Sequence, residues 1–173
     1  LASQPSLSRF ENGARRGELF RMAEALADLV IARHRRRLGR RCRRITLDFD
    51  PTDDPTHGQP ELSFFHGYYD TYCYLPIVGT LSFNDEAEQY LLCAVLRPGN
   101  SAAHVGLLAI LERVLAKLRT AFPKARLRVR LDGGFGAPAV LDFLDAAGVE
   151  YVVGLAATKP LKARAHRALA TAQ

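Results

Sequence analysis

Apolar residues recur at helical spacing from Arg16 to about Leu38, at Leu19, Met22, Leu26, Leu29 and Val30. This predicts an amphipathic helix that turns strongly basic toward its C-terminal end, where the helix dipole favours cations. The period then changes to two. In RRITLDFD, Ile45, Leu47 and Phe49 alternate with Thr46, Asp48 and Asp50, which predicts a strand stopped by Pro51 and Pro55. YCYLPIVGTLSFN and YLLCAVLRPG, rich in β-branched and aromatic residues, predict two further strands as an antiparallel pair. Pro98-Gly99-Asn100 is a breaker with Ser101 as a capping residue. A long helix then runs to about Phe122, its stripe of Leu108, Leu111, Leu115 and Leu118 widened by Leu107, Ile110 and Val114, so it should be largely buried. ARLRVRLD alternates again, with Leu127, Val129 and Leu131 opposite Arg128, Arg130 and Asp132. APAVLDFLDAAG predicts a short helix that begins near a proline and closes on a glycine, EYVVGLA a compact strand, and the Ala- and Arg-rich stretch from Lys162 a last helix.

The order after the first helix is β, β, β, α, β, α, β. Three consecutive strands followed by alternating helices and strands predict an α/β domain with a mixed sheet covered by helices. The ribonuclease H-like fold has this order, with its first and fourth strands neighbours near the sheet centre. The chain divides into a basic helical segment, 1–43, and a core, 44–173.

At 173 residues, with 48% apolar and 24% charged residues, the chain has the length and composition of one folded domain. Its formal charge of +6 comes from 20 Arg and only 4 Lys, and it is unevenly placed. RHRRRLGRRCRR holds eight arginines in twelve residues: Arg33, Arg35, Arg36, Arg37, Arg40, Arg41, Arg43 and Arg44. Such a block suits a polyanion, because the planar guanidinium fork binds two phosphate oxygens at once. A solvated basic helix end is the plainer reading. Cys42, Cys73 and Cys93 form no C-x-x-C pair, which excludes a zinc cluster or disulfide framework and reads as buried thiols of a cytosolic protein. No apolar run approaches the roughly eighteen residues of a membrane span, and no membrane partner is expected. The absent initiator Met and the unfinished last helix read as a fragment.

LDFDPTDDPTHG places four aspartates and a histidine directly after a strand. As a calcium loop starting from Asp48 it fails: the sixth position needs Gly and the twelfth Glu, where this sequence has Asp53 and Gln59. If the strand order is right, Asp50 and Asp132 end two adjacent strands. Side by side their carboxylates repel, raising the pKa of at least one, and a divalent cation removes that penalty. Two such ions, roughly 3.5–4 Å apart, are a known way to cut a phosphodiester. Taken singly, each aspartate would more commonly serve a turn, as Asp53 and Asp54 are expected to. His57, in PTHG, is a candidate to hydrogen-bond a metal-binding carboxylate or to contact DNA, with a turn role the commoner one. LDGGFGAP lacks the order of a nucleotide-binding loop. The aromatics of FFHGYYDTYCYLP suit strand and surface packing better than base stacking. No Ser-His-Asp or Cys-His arrangement is apparent.

DFDPTDDPTHG, GYYDTYCYLP, LRPGNSAAHVG and VRLDGGFGAPAVLDFLDAAGVEYVVGL together resemble DDE transposases of bacterial insertion sequences, the thirteen-eighty group in particular. LASQPSLSRFENG is similar to the segment before the catalytic core in that family. The resemblance implies a ribonuclease H-like fold, Mg²⁺ or Mn²⁺, nicking at transposon ends and attack of the freed 3′ hydroxyl on a partner or target strand. It also implies DNA as partner, action as a multimer, and a cytoplasmic location on the nucleoid. The family's first carboxylate lies in a D-x-T context, which Asp50-Pro51-Thr52 matches, with Asp48 the runner-up. Its second falls at Asp132. The eight arginines from Arg33 to Arg44, with Arg128 and Arg130, become candidate phosphate contacts. The third carboxylate is a glutamate on a far-downstream helix. After Asp132 the only glutamate is Glu150, on the wrong kind of element, so this polypeptide alone is expected to be inactive. The competing expectations are a non-catalytic DNA-binding remnant and a metal-free hydrolase using the carboxylate pair.

Overall fold

Two helices, α1 (Gln4–Gly13) and α2 (Arg16–Leu38), open the computed structural model, which describes residues 3–58, 60–155 and 158–172. After a short 3₁₀ turn at Gly39–Arg41 come β1 (Arg44–Pro51), β2 (Asp54–Pro55), β3 (Phe64–His66), β4 (Thr71–Tyr74), β5 (Ile77–Phe83) and β6 (Tyr90–Val95). The rest alternates: α3 (Leu107–Ala121), β7 (Arg126–Leu131), α4 (Pro138–Ala147), β8 (Glu150–Val153) and α5 (Lys159–Ala172). Ala156, to which the last strand was expected to run, lies outside the described residues, as do the opening Leu1-Ala2 and the closing Gln173.

The main sheet has the order β6-β5-β1-β7-β8. β1 is antiparallel to β5 and β5 to β6, while β1, β7 and β8 run parallel. That is the expected meander with its fourth strand returned beside the first, the topology of the ribonuclease H-like fold. Along β1 the apolar residues are buried as the alternation predicts, and Thr46 between them is buried as well. Ile45, Leu47 and Phe49 face a single core shared with Val129, Leu131, Leu111, Leu115 and Leu144. The residues between them, with Thr80, Ser82, Arg128 and Arg130, form a polar opposite face. α1 and α5, exposed at every position whose side chain is described, bury nothing against it.

Three elements depart from the expectation. The strand expected from Tyr72 to Asn84 is two, split at Leu75-Pro76. Pro76 has no N–H for the ladder, and its carbonyl accepts from Thr52 N at 3.1 Å. The first half, β4, joins β2 and β3 in a separate small sheet of order β2-β4-β3. α3 starts at Leu107 behind Gly106, whose φ of 84° only glycine adopts without strain. Ser101 therefore does not cap it.

The third departure is the buried face of α2. Leu19, Met22 and Leu29 are exposed, while Ala27, Ile31, His34 and Leu38 are buried. His34 hid the true stripe because its type is usually polar. Its Nδ1 lies 2.8 Å from the Val30 carbonyl, and its ring stacks on Phe83 with centroids 4.2 Å apart. α2 thus shares the core of the sheet through Ala27, Ile31 and Leu38.

Candidate active site

β1 and β7 run parallel in the register Arg44↔Arg126 to Phe49↔Leu131. One residue further, Asp50 and Asp132 emerge side by side at the C-terminal ends of the two central strands. Alternation puts both on the polar face, since Phe49 and Leu131 before them are buried. Asp132 is also the N-cap of a 3₁₀ turn at Gly133–Phe135, its Oδ1 accepting from Gly134 N at 3.0 Å. A Cβ on Gly134 would lie 2.9 Å from the Ala103 Cβ and 3.2 Å from that same oxygen. The glycine is what lets the loop fold against the carboxylate. The turn duty and the pairing expected of Asp132 therefore coexist.

The pair opens into a cleft of about 680 Å³. Thr52, Asp53 and the 3₁₀ turn line it beside the pair, His66, Tyr68 and Tyr69 form one wall, and Ser101 to Ala103 another. The Tyr69 hydroxyl donates to the Pro51 carbonyl at 3.2 Å, tying the turn after β3 to the end of β1. The Nδ1 of His66 is buried with no hydrogen-bond partner among the described residues. Among the described residues no Arg or Lys lines the cleft. Burial, and then the neighbouring Asp132, push the Asp50 carboxyl above its ordinary range. Tyr69 is pushed up as well, by burial first and then by Asp53 and Asp50. An uncompensated pair of hard oxygen ligands fits a divalent cation. Among the described residues no group of three His, Cys, Asp or Glu forms to complete such a site.

The other candidates fall elsewhere. Asp48 faces the same side as Asp50 but is held by Arg130, its cross-strand partner, with Nη2 to Oδ2 at 2.7 Å. Arg128 donates from Nε and Nη2 to one oxygen of Glu150, Oε2, at 3.1 and 2.9 Å. Glu150 is thereby committed near the start of β8. His57 is exposed and outside the cleft; His66 is the histidine that lines it.

The arginine block lies at the other end of β1. Arg44 starts the strand and Asp50 nearly ends it, so six steps separate them by about 20 Å. Arg37 forks onto Glu86 at 3.0 and 2.5 Å, and Arg44 bonds Asp85. Arg35 donates to the Ala121 carbonyl and Arg41 to that of Arg37. Arg33, Arg36, Arg40 and Arg43 are exposed, and their side chains have no partner among the described residues. The arginines therefore do not surround the carboxylates.

Sequence reasoning missed one side chain that shapes the cleft. Arg97 is 6% exposed and donates to the carbonyls of Leu75, Ala102, Ala103 and Val105 at 2.8, 3.0, 2.7 and 3.1 Å. It gathers the Ser101–Ala103 wall onto the end of β4, and by holding these carbonyls it delays the start of α3. Its position just before Pro98-Gly99 was the one available signal.

The family described as transposase DDE domain group 1 matches residues 1–173, the whole chain. No curated protein matches. Among solved structures, the chain is similar to the catalytic domain of Mos1 mariner transposase at 17% identity and a TM-score of 0.39, covering 91% of this chain and 74% of that one. A pre-cleavage Mos1 transpososome matches at 16% identity and a TM-score of 0.37, over 90% of this chain and 51% of that one. The Mos1 paired-end complex with Mn matches at 17% identity and a TM-score of 0.36, over 80% and 43%. At that level of similarity the fold is carried by the strand order and directions above.

Proposed function

The chain belongs to the DDE transposase family, and on that premise we propose that it carries two of the three metal-binding carboxylates of an insertion-sequence transposase, Asp50 and Asp132. The observation that supports this most is their adjacency at the ends of two central parallel strands, in a cleft that supplies no cation.

The residues divide the work by position. Asp50 and Asp132 offer ionised oxygens to Mg²⁺ or Mn²⁺; Gly134 N holds Asp132 in place, and Tyr69 holds the end of β1. When bound, such a cation supplies Lewis acidity and a nucleophilic water or hydroxyl for cleaving and joining phosphodiesters. Because the pair carries negative charge with no Arg or Lys among the described residues lining the cleft, a DNA phosphate would be repelled from it without that cation. Asp53, on the same wall, adds to the repulsion and to the pull on a cation. Asp48 orients Arg130, and His57 has no part in the cleft. The arginines between Arg33 and Arg44 that lack acidic partners contact DNA phosphates away from the cut.

With two carboxylates, these 173 residues bind the metal weakly and do not cleave alone. The third carboxylate comes from elsewhere in the full protein, which is of the thirteen-eighty group and works as a multimer on transposon ends and target DNA. Among the described residues, no helix is long and apolar enough to cross a membrane.

The test uses an intact full-length relative. Asparagine at the positions of Asp50 and Asp132 should each lower Mg²⁺-dependent cleavage of transposon-end DNA by at least about a hundredfold, with DNA binding retained. Unchanged cleavage in either variant sinks the proposal. DNA binding without cleavage in the unaltered relative would favour a decayed, non-catalytic remnant.

A further inference from the structure

We infer that the end of the sheet opposite the carboxylates is a separate surface for duplex DNA, built from three helix ends and the start of β7 as well as from the arginine-rich segment. It rests on the reading above in taking DNA as the polyanion.

The fold brings together cations that are far apart in sequence. Arg35, at the C-terminal end of α2, donates to Ala121 at the end of α3. Arg119, on the last turn of α3, donates to Ala147 at the end of α4. Arg43 accepts at its carbonyl from Arg126 N at 2.8 Å, joining the segment before β1 to the start of β7. Lys124 lies in the turn between α3 and β7. With Arg40, these make six exposed cations at one end of the molecule.

Helix C-termini attract cations, so part of this charge has a structural explanation. Three helix ends account for about 1.5 negative charges, against six positive. Of the acids, Glu150 lines the same cleft as Arg119 and Arg126, lies 3.7 Å from Arg126 and is shared with Arg128. A net excess of about four charges remains. This cleft of about 650 Å³, half apolar, runs through the surface, lined by Arg119, Arg126, Phe122, Pro123, Glu150 and the glycine turn at Gly148. Guanidinium groups with open donors around such a cleft suit a phosphate backbone.

The separation sets the geometry. About 20 Å along β1 corresponds to about six base pairs at 3.4 Å each. Duplex DNA held at the basic end therefore has its contacted phosphates roughly six or more base pairs from any phosphate at the carboxylates.

The test is fluorescence anisotropy of the 173-residue chain with a 24-base-pair duplex (about 80 Å) over a NaCl series. Each neutralised phosphate contributes about −0.9 to the slope of log K against log salt. The triple variant Arg119→Gln, Lys124→Gln, Arg126→Gln should flatten that slope by about two to three units and weaken binding at least about tenfold at low salt. Lysine in place of both arginines should restore most of it. If the triple variant does not fold, Lys124→Gln with Arg126→Gln breaks no side-chain bond to a carbonyl and should flatten the slope by about two. An unchanged slope in a folded variant overturns the inference. So does salt-dependent binding to phosphatidylserine vesicles with none to duplex. Metal-dependent cleavage by the full-length relative reads the carboxylate site and the salt slope of this chain reads the basic end, so failure of one is told apart from failure of the other.

Discussion

Asp48 and Arg130 face each other across the parallel pair β1–β7, and a fork of two hydrogen bonds joins them. Asp48 is thereby occupied, whereas Asp50, two residues on, has no Arg or Lys beside it among the described residues. The two aspartates of DFD should therefore separate in function. Asp48→Asn is expected to change cleavage by the full-length protein less than about tenfold, and stability by less than about 1 kcal/mol, as for other exposed ion pairs. Asp50→Asn should abolish cleavage. Parallel cleavage assays and denaturant melts decide it, and equal loss in both variants would contradict the assignment.

The Asp50 carboxyl is raised by burial and by Asp132, and the sign of the linkage follows. Below the ordinary carboxylate range both folded and unfolded chains are protonated and nothing opposes folding. As pH rises through the raised folded value, ionisation of Asp50 costs stability. Asp50→Asn should thus melt higher than the parent at pH 7, by about 1 °C once solvent screening is allowed for, and at the same temperature near pH 3. Millimolar Mn²⁺ at pH 7 should raise the parent's melting temperature and leave the variant's unchanged. Scanning calorimetry across pH reads both effects.

Arg97 holds four carbonyls around a buried guanidinium. Methionine there keeps the volume but leaves those acceptors buried and unpaired. Arg97→Met should cost about 3 kcal/mol of unfolding free energy, and Arg97→Lys, with fewer donors, somewhat less. Urea midpoints give the comparison; a loss below about 1 kcal/mol would mean that water satisfies the carbonyls.

Gly79 sits in β5 between Phe49 and Cys93, and a Cβ would come within 2.6 Å of the Phe49 ring and 2.8 Å of the Cys93 sulfur. Gly79→Ala is expected to destabilise by about 1–3 kcal/mol through overpacking. Adding Phe49→Leu should recover part of that loss, which a double-mutant cycle measures.

Legibility followed the kind of signal. Strict alternation placed β1 and β7, and the strand order then brought Asp50 to Asp132, because register in a parallel pair carries one strand's end to its neighbour's. The burial of Cys42, Cys73 and Cys93 was equally visible from residue type, and the thiols of Cys42 and Cys93 are pushed up to about 11 by it. What hid from the sequence depends on distant partners. Pro76 divides an otherwise continuous β pattern. His34 is buried because Phe83 and Tyr90 surround it. Arg97 reads as one more surface cation until its four acceptors are assembled. The distance of the arginines from the carboxylates is hidden for a similar reason: Arg44 and Asp50 are near in sequence, yet an extended strand is the longest way to connect two residues.

That strand gives the molecule an electrical polarity. Asp50, Asp53 and Asp132 lie at its far tip and Arg43, Arg44 and Arg126 at its root, so the strand joins a local acidic end to a local basic one. A rod of phosphates approaching from solution would feel a torque on the protein before touching it, turning the root inward and the tip away. Encounter is then oriented in advance, and added salt should slow the rate of association more than it speeds escape.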